Sequence, residues 1–376
     1  MAKSFKYKLL MQHLMVSINA GEFSVGSRLP TEKEFATQYQ VSIQTVRQAM
    51  LQLKQNGIIR QVSGSGTFLL RRPGMQTMEN AETKAQVHNI GVVVWNTSIH
   101  VFPRIIHSIE QEVFQSGMHL VTCSSDDQPD QERLIFERLV QQGISGLIVS
   151  PILWHERRVE NYAFLVEQGI PFVFINRNVP RFGVSSVTVD NELGAFRAMQ
   201  HLIGLGHTRI GHLTAGTATE LTEDRIRGYR RALQKAGLPV DEDLIAPNLG
   251  PGKQVGYAGA MRLLQSAPRP TAIFCVNDEH AVGLMEAARA LGLRVPHDLS
   301  VVSFDNSHVA RSHFPIGLDS IDYPAEEMGL SAVQELLACM GQDRWVAKGI
   351  MLEPELIIRQ SSAPPAGAKR KATITA

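Results

Sequence analysis

The chain has 376 residues, 44% of them hydrophobic and 19% charged, with a formal net charge of +1, values that exclude a disordered, collagen-like or disulfide-stapled chain and ask for two or three domains. Cys123, Cys275 and Cys339 form no CxxC pair and read as small buried hydrophobes. No apolar run reaches the ~18 residues of a membrane span and the N-terminus lacks a signal-peptide core, so the expectation is a cytoplasmic protein with no cofactor, no metal and no membrane partner.

Residues 1–74 hold ten Lys/Arg against three acids, whereas the remainder holds twenty-seven against thirty-three. A basic head on a mildly acidic body points to a polyanion as the partner of the head. Apolar residues at 7, 10, 14 and 18 predict a first helix from Tyr7 to Ile18, closed by Gly21. Thr31 with Glu34 three residues later forms a capping box for a short second helix, Glu32 to Tyr39. After a turn at Tyr39–Val41, Ser42 caps a third helix to about Asn56, with Val46, Ala49, Met50 and Leu53 on its inner face and Gly57 as its stop. Ile58–Val62 and Thr67–Leu70, joined through Ser63-Gly64-Ser65-Gly66, predict a hairpin. The sum is a small α/β winged helix-turn-helix domain over residues 1–72.

The stretch Leu29-Pro30-Thr31-Glu32, then Val41-Ser42-Ile43-Gln44-Thr45-Val46-Arg47-Gln48-Ala49-Met50, Gly57-Ile58-Ile59 and Gly64-Ser65-Gly66-Thr67-Phe68 resembles the head of GntR-type bacterial regulators. The resemblance implies that Lys33 contacts DNA from the second helix and that Ser42, Ile43, Gln44, Thr45 and Arg47 line the exposed start of the recognition helix. Gly64, Ser65, Gly66 and Thr67 would form the wing tip against the minor groove. Hydroxyls and backbone N–H groups at a helix start hold phosphate, while Gln and Arg read base edges. Ile43 stands where the family commonly has Arg, so Gln44, or an apolar touch on a thymine methyl, would replace that contact. Taken singly, Arg47 also reads as a surface ion pair and Gly64/Gly66 as a tight turn.

Residues 73–88 are polar, without apolar period, and read as a linker. From residue 89, apolar runs (90–94, 119–123, 146–149, 171–175, then 209–213, 272–276 and 300–304) alternate with helical stretches at about 103–116, 130–142, 157–168, 191–204, 224–236, 253–266 and 279–291. Strands buried on both faces and separated by helices predict parallel, doubly wound sheets in two lobes, with ligands at the carboxyl ends of the strands.

Asp190, His201-Leu202-Ile203-Gly204-Leu205-Gly206-His207-Thr208-Arg209-Ile210, Arg225-Ile226-Arg227-Gly228-Tyr229, Asn277-Asp278, Leu291-Gly292-Leu293-Arg294-Val295-Pro296 and Ser300-Val301-Val302-Ser303-Phe304-Asp305-Asn306 resemble the sensor of LacI-type repressors. That family shares the fold of periplasmic sugar-binding proteins. The combination of head and body resembles the arabinose-responsive repressor group. It implies a sensor over 89–362 (first lobe about 89–187 and 323–342, second about 188–320 and 344–362), crossings near 187–190, 319–322 and 342–344, and a solvated tail over 363–376. The effector contacts it implies are Arg225, Asn277 and Asp305 on the second lobe, with Asn176 where the family often has Asp. Trp95, Asn96 and Phe102 would line the floor of the first lobe. Arg, Asp and planar amides suit vicinal hydroxyls, and an aromatic face suits the C–H side of a sugar ring. Asn277 and Asp305 also read as strand-end or helix-cap residues, and Trp154 and Trp345 as packing.

Gly204 and Gly206 follow a helix and precede a strand, the reverse of a dinucleotide loop, and no GxxxxGK[ST], HExxH or GxSxG occurs, so no enzyme is expected. The expected partners are an operator duplex, a small sugar and a second copy of the chain in a homodimer. A nucleoside or phosphosugar effector acting as co-repressor or activator ligand is the alternative.

Overall fold

The computed structural model describes residues 10–11, 13–14, 17–18, 22–55, 58–62, 66–70, 88–98, 101–152, 158–215, 220–248, 253–312, 316–340 and 346–366. Gly64, Ser65, the linker up to residue 87, Trp154, Trp345, the crossing expected at 342–344 and the tail beyond 366 lie outside the described residues. The chain divides into two units, Met1–Ala85 and Gln86–Ala376.

In the first unit Leu10, Leu14 and Ile18 are helical and buried, in line with their spacing. Helix α1 (Glu32–Gln38) starts on the expected capping box: Glu34 N–H donates to Thr31 Oγ1 at 3.3 Å and Thr31 N–H to Glu34 Oε2 at 2.6 Å. Helix α2 (Ile43–Gln55) buries Val46, Ala49, Met50 and Leu53. Strands β1 (Ile59–Val62) and β2 (Gly66–Leu69) pair antiparallel with Arg60 opposite Phe68 and Val62 opposite Gly66. Gly66 and Thr67 are therefore ladder residues, not the tip of the wing. A third segment joins the hairpin, because Leu29 N–H donates to Thr67 O at 2.8 Å and Leu69 N–H to Ser27 O at 3.1 Å.

The second unit contains two six-stranded sheets. The first holds β3 (Asn89–Val94), β4 (His119–Ser124), β5 (Gly146–Val149), β6 (Phe172–Ile175), β7 (Ser186–Val189) and β13 (Gly349–Leu352), in the order β13-β7-β6-β5-β3-β4 and parallel throughout. Helices α3 (Phe102–Gln115), α4 (Pro129–Gln141), α5 (Arg158–Glu167) and α11 (Ala325–Met340) belong to this lobe. The second sheet holds β8 (Ile210–Ala215), β9 (Ile245–Asn248), β10 (Ala272–Cys275), β11 (Ser300–Asp305), β12 (Asp319–Asp322) and β14 (Glu355–Ile357), in the order β14-β12-β11-β10-β8-β9 with only β14 antiparallel. Its helices are α6 (Asn191–Gly204), α7 (Glu220–Lys235), α8 (Lys253–Leu264), α9 (Asp278–Ala290) and α10 (His308–Ser312). In each sheet the strand order reverses once, beside β3 and β5 and beside β8 and β10, and those carboxyl ends are where an open α/β sheet leaves a crevice.

The chain passes between lobes after β7, after β12 and after β13. Two expectations are corrected here. Residues 319–322 are a strand of the second sheet, so the crossing follows them at Tyr323–Pro324. Residues 349–352, expected in the second lobe, pair with 186–189 in the first sheet, so the last crossing is at Glu353–Pro354.

Candidate functional site

In the first lobe each strand hands the chain to a polar or aromatic residue at its carboxyl end. Trp95 follows β3, Ser125 follows β4, Ser150 follows β5 and Asn176-Arg177 follow β6. Phe102 meets Trp95 edge to face, with ring centroids 5.7 Å apart. Phe102 is fully buried, so it backs Trp95 and offers no face to a ligand, contrary to the sequence expectation. Asn96 closes its own loop by accepting from Ser98 N–H at 2.8 Å. Among the described residues the buried Ser125 and Ser150 hydroxyls find no hydrogen-bond partner, so the floor offers polar groups at the strand ends.

Arg177 was not anticipated. Its guanidinium lies 4.6 Å over the Trp95 ring, and Nη1 donates to Pro151 O at 3.2 Å. Burial pulls its pKa down to about 10, opposed by the charge of Asp127. Asn176 is buried with φ +64, and its Oδ1 accepts from the Tyr323 hydroxyl at 3.2 Å.

The second lobe centres on Arg225. The side chain is buried, its Nε donates to Asn191 Oδ1 at 3.0 Å, and another N–H donates to Val276 O. The guanidinium stacks 3.7 Å over Phe304, and Nη2 lies 3.6 Å from Asp305 Oδ1. Burial lowers its pKa and the Asp305 charge raises it, so the buried guanidinium has a counter-ion beside it. Asp305 ends β11 at φ +101. Asn277 is chiefly a helix cap. Its Oδ1 accepts from His280 N–H at 2.9 Å and approaches His280 Nδ1 at 2.7 Å, which leaves the amide as the group it can offer.

Tyr323, also unforeseen, ties the halves together. It sits on the second crossing, bonds Asn176 of the first lobe, and feels the charges of Arg225, Asp305 and Arg177. Six candidates therefore form one assembly: Trp95, Arg177 and Asn176 on one side, Arg225 and Asp305 on the other, and Tyr323 between. Each buried arginine has a carboxylate of its own lobe nearby, Asp127 for Arg177 and Asp305 for Arg225. The assembly thus brings cationic donors and anionic acceptors together in each lobe.

Deeper in the second lobe His212 is sandwiched between Tyr229 and Phe274, 5.3 and 4.8 Å away, with Nδ1 3.0 Å from Phe274 O. Burial lowers its pKa to about 4. Unfolded histidine binds a proton below about pH 6.5 and this one does not until about pH 4, so stability falls as pH drops through that window, by roughly 3 kcal/mol for this group. Denaturant unfolding of the parent and of His212→Phe between pH 4 and 7 should show the difference between them shrinking by about that amount toward pH 4.

On the head, Lys33, Ser42, Ile43, Gln44 and Arg47 are exposed. Ser42 Oγ accepts from Thr45 N–H at 3.2 Å and lies 2.8 Å from Thr45 Oγ1. Arg47 Nε and Nη2 both donate to Glu32 Oε2, at 3.1 and 3.0 Å. The surface-pair reading of Arg47 is what the free protein displays, yet its side chain stays 70% exposed and such a pair costs little to exchange for a nucleic-acid partner. Arg28 adds a cation that the motif reading omitted: it pairs with Phe68 beside the wing, and its side chain covers Gly66, which adopts φ +113.

Comparison with known proteins agrees with both halves. Residues 6–69 match the model of bacterial regulatory proteins of the gntR family, and residues 199–362 match a periplasmic binding protein-like domain. The chain is 34% identical over 364 residues to an arabinose metabolism transcriptional repressor of Geobacillus stearothermophilus, covering 95% of this chain and 97% of that protein. A second protein of that description, from Halalkalibacterium halodurans, is 29% identical over 367 residues, 95% and 96% of the two chains. Among solved structures, a LacI family transcriptional regulator from Enterococcus faecium with bound ribose superposes with a TM-score of 0.63 at 27% identity, over 73% of this chain and 99% of that one. Among the described residues no helix is long and apolar enough to cross a membrane.

Proposed function

The chain belongs to the family of transcriptional repressors that join a gntR-type head to a periplasmic-binding-protein-like body, a regulator and not an enzyme, and from that premise we propose that it is released from its operator by a small neutral sugar, an arabinose-like pentose. The observation that carries the effector class is the balanced cleft. Arg225 and Asp305 lie 3.6 Å apart above Phe304, and the Arg177 charge is met by Asp127. A phosphosugar would need a surplus of cation there, so this favours an uncharged polyol over the phosphosugar alternative. The relatives' names supply the pentose.

Two copies of the chain, each with one basic head, would grip a pseudo-palindromic duplex in the cytoplasm, with half-sites set by the dimer axis. Sugar binding favours a closed arrangement of the lobes, and that arrangement presents the heads at a spacing that fits the operator less well.

The test is operator binding by the full-length protein across a salt series, with and without each member of a pentose and hexose panel, alongside calorimetry of the same sugars. Affinity should fall steeply with salt, and L-arabinose should weaken it. Arg47→Ala should lower operator affinity about 10- to 100-fold while sugar affinity stays put. No retardation of any duplex at low salt, or a panel in which only phosphorylated sugars act, would overturn the proposal in its head or in its effector respectively.

A further inference from the structure

The second crossing between the lobes carries a set of polar contacts that effector chemistry alone does not require. Arg104, on α3 of the first lobe, is gripped by Glu326 at the start of α11: Nε donates to Oε1 at 2.9 Å and Nη2 to Oε2 at 2.6 Å. Its remaining nitrogen, Nη1, reaches across to Asp322 Oδ1 at 3.3 Å, the last residue of β12 in the second lobe. The same Asp322 oxygen accepts from Asn306 Nδ2 at 2.7 Å. Asn306 is buried, its N–H donates to Ser320 Oγ at 3.0 Å, and its Oδ1 accepts from Arg359 Nη2 at 2.6 Å. It directly follows Asp305, and both residues hold positive φ, +101 and +45.

We propose that Arg104 is a positioning residue, a clasp that holds the unliganded angle between the lobes and is loosened through Asn306 when effector engages Asp305. The inference rests on the reading of Asp305 as an effector contact. A carboxylate drawn toward a sugar hydroxyl turns the peptide it shares with Asn306. With its N–H and both ends of its amide already committed, Asn306 cannot absorb that turn alone and passes it to Asp322. Arg104 cannot follow, because its two-pronged grip on Glu326 fixes it to the first lobe. The Arg104–Asp322 contact is therefore a discrete element that both the cleft and the lobe angle bias, the physical requirement for coupling.

Weakening the clasp should let the empty protein sample the closed arrangement. The full-length chain with Arg104→Met then binds L-arabinose about fivefold more tightly and the operator about fivefold more weakly, opposite shifts that a merely damaged fold cannot produce. Asp322→Asn, which keeps the shape and the acceptor for Asn306, should move both affinities the same way and stands in should Arg104→Met fail to fold. Glu326→Gln, which keeps one of the two bonds that anchor Arg104 to the first lobe, should move both affinities in the same directions as Arg104→Met but by only about twofold. A direct readout needs no effector: spin labels at exposed Gln115 and Gln234, with half-buried Cys123 and Cys339 changed to Ser, report the lobe separation in the empty protein. Arg104→Met or Asp322→Asn should add a shorter population absent from the parent; identical distance distributions would overturn the clasp. Should the parent ignore every sugar, the effector reading fails, while the label distances still decide the clasp.

Discussion

Asp305→Asn is expected to weaken sugar binding about a hundredfold and to leave a repressor that stays on its operator when sugar is added. The carboxylate is the anionic acceptor of the second lobe, 3.6 Å from a buried guanidinium, and a charged hydrogen bond lost from such a site costs roughly 3 kcal/mol. Asn preserves the volume and tolerates the φ of +101 at this position better than most residues. Arg225 keeps its bonds to Asn191 Oδ1 and Val276 O, so the lobe stays folded. Asp305→Ala should lose the same affinity and a further ~1–3 kcal/mol of stability, because alanine is strained at positive φ and, unlike asparagine, leaves no side-chain oxygen beside the buried guanidinium. Calorimetry with L-arabinose and operator binding with and without it separate the two effects. Wild-type sugar affinity in Asp305→Asn would remove Asp305 from the effector site.

What could be read from the chain and what could not follow from how locally each feature is encoded. The capping box of Thr31 and Glu34 needs four residues, and its hydrogen bonds form as the spacing requires. Central strands such as Gly146–Val149 and Phe172–Ile175 are buried at every position and show up as continuous apolar runs. The edge strand Gly349–Leu352 alternates exposed and covered residues, and Ile245–Asn248 includes a proline. Neither gives a run to detect, and missing Gly349–Leu352 is why the last crossing was expected too early.

The same contrast divides the site. Arg225 sits in a recognisable Arg-Ile-Arg-Gly-Tyr stretch. Arg177 follows Asn176 in a sequence that otherwise reads as an ordinary polar loop, and arginine is by default an exposed residue; only the fold slides it over Trp95. Tyr323 gives no local sign either, since its value lies in touching both lobes at once. Phe102 misled in the opposite sense: an aromatic just past the first strand suits a sugar, but it is the start of α3 and packs inward.

Gly228→Ala should be strongly destabilising, costing about 3 kcal/mol and lowering the melting temperature by roughly 5–10 °C. Gly228 is where α7 crosses α6 at closest approach. A Cβ there would stand 2.2 Å from Glu192 O, 2.8 Å from Ala195 Cβ and 2.9 Å from Phe196 N. Two of those atoms are backbone, so no rotamer change relieves the clash. Nor can α6 step back, because a Cβ on its own Gly194 would already stand 2.6 Å from the Phe304 ring. The helices must separate, and Arg225, one turn before Gly228, is drawn off Asn191 of α6, its partner at 3.0 Å. Sugar affinity should accordingly fall more than tenfold, while operator binding, which belongs to the head, persists below the new melting point. Gly204→Ala is the matched control: nothing lies within 4 Å of the added carbon, and alanine is the better helix former. If Gly228→Ala instead melts within a degree or two of the parent and binds sugar normally, the close crossing of α6 and α7 is not what holds Arg225 in place.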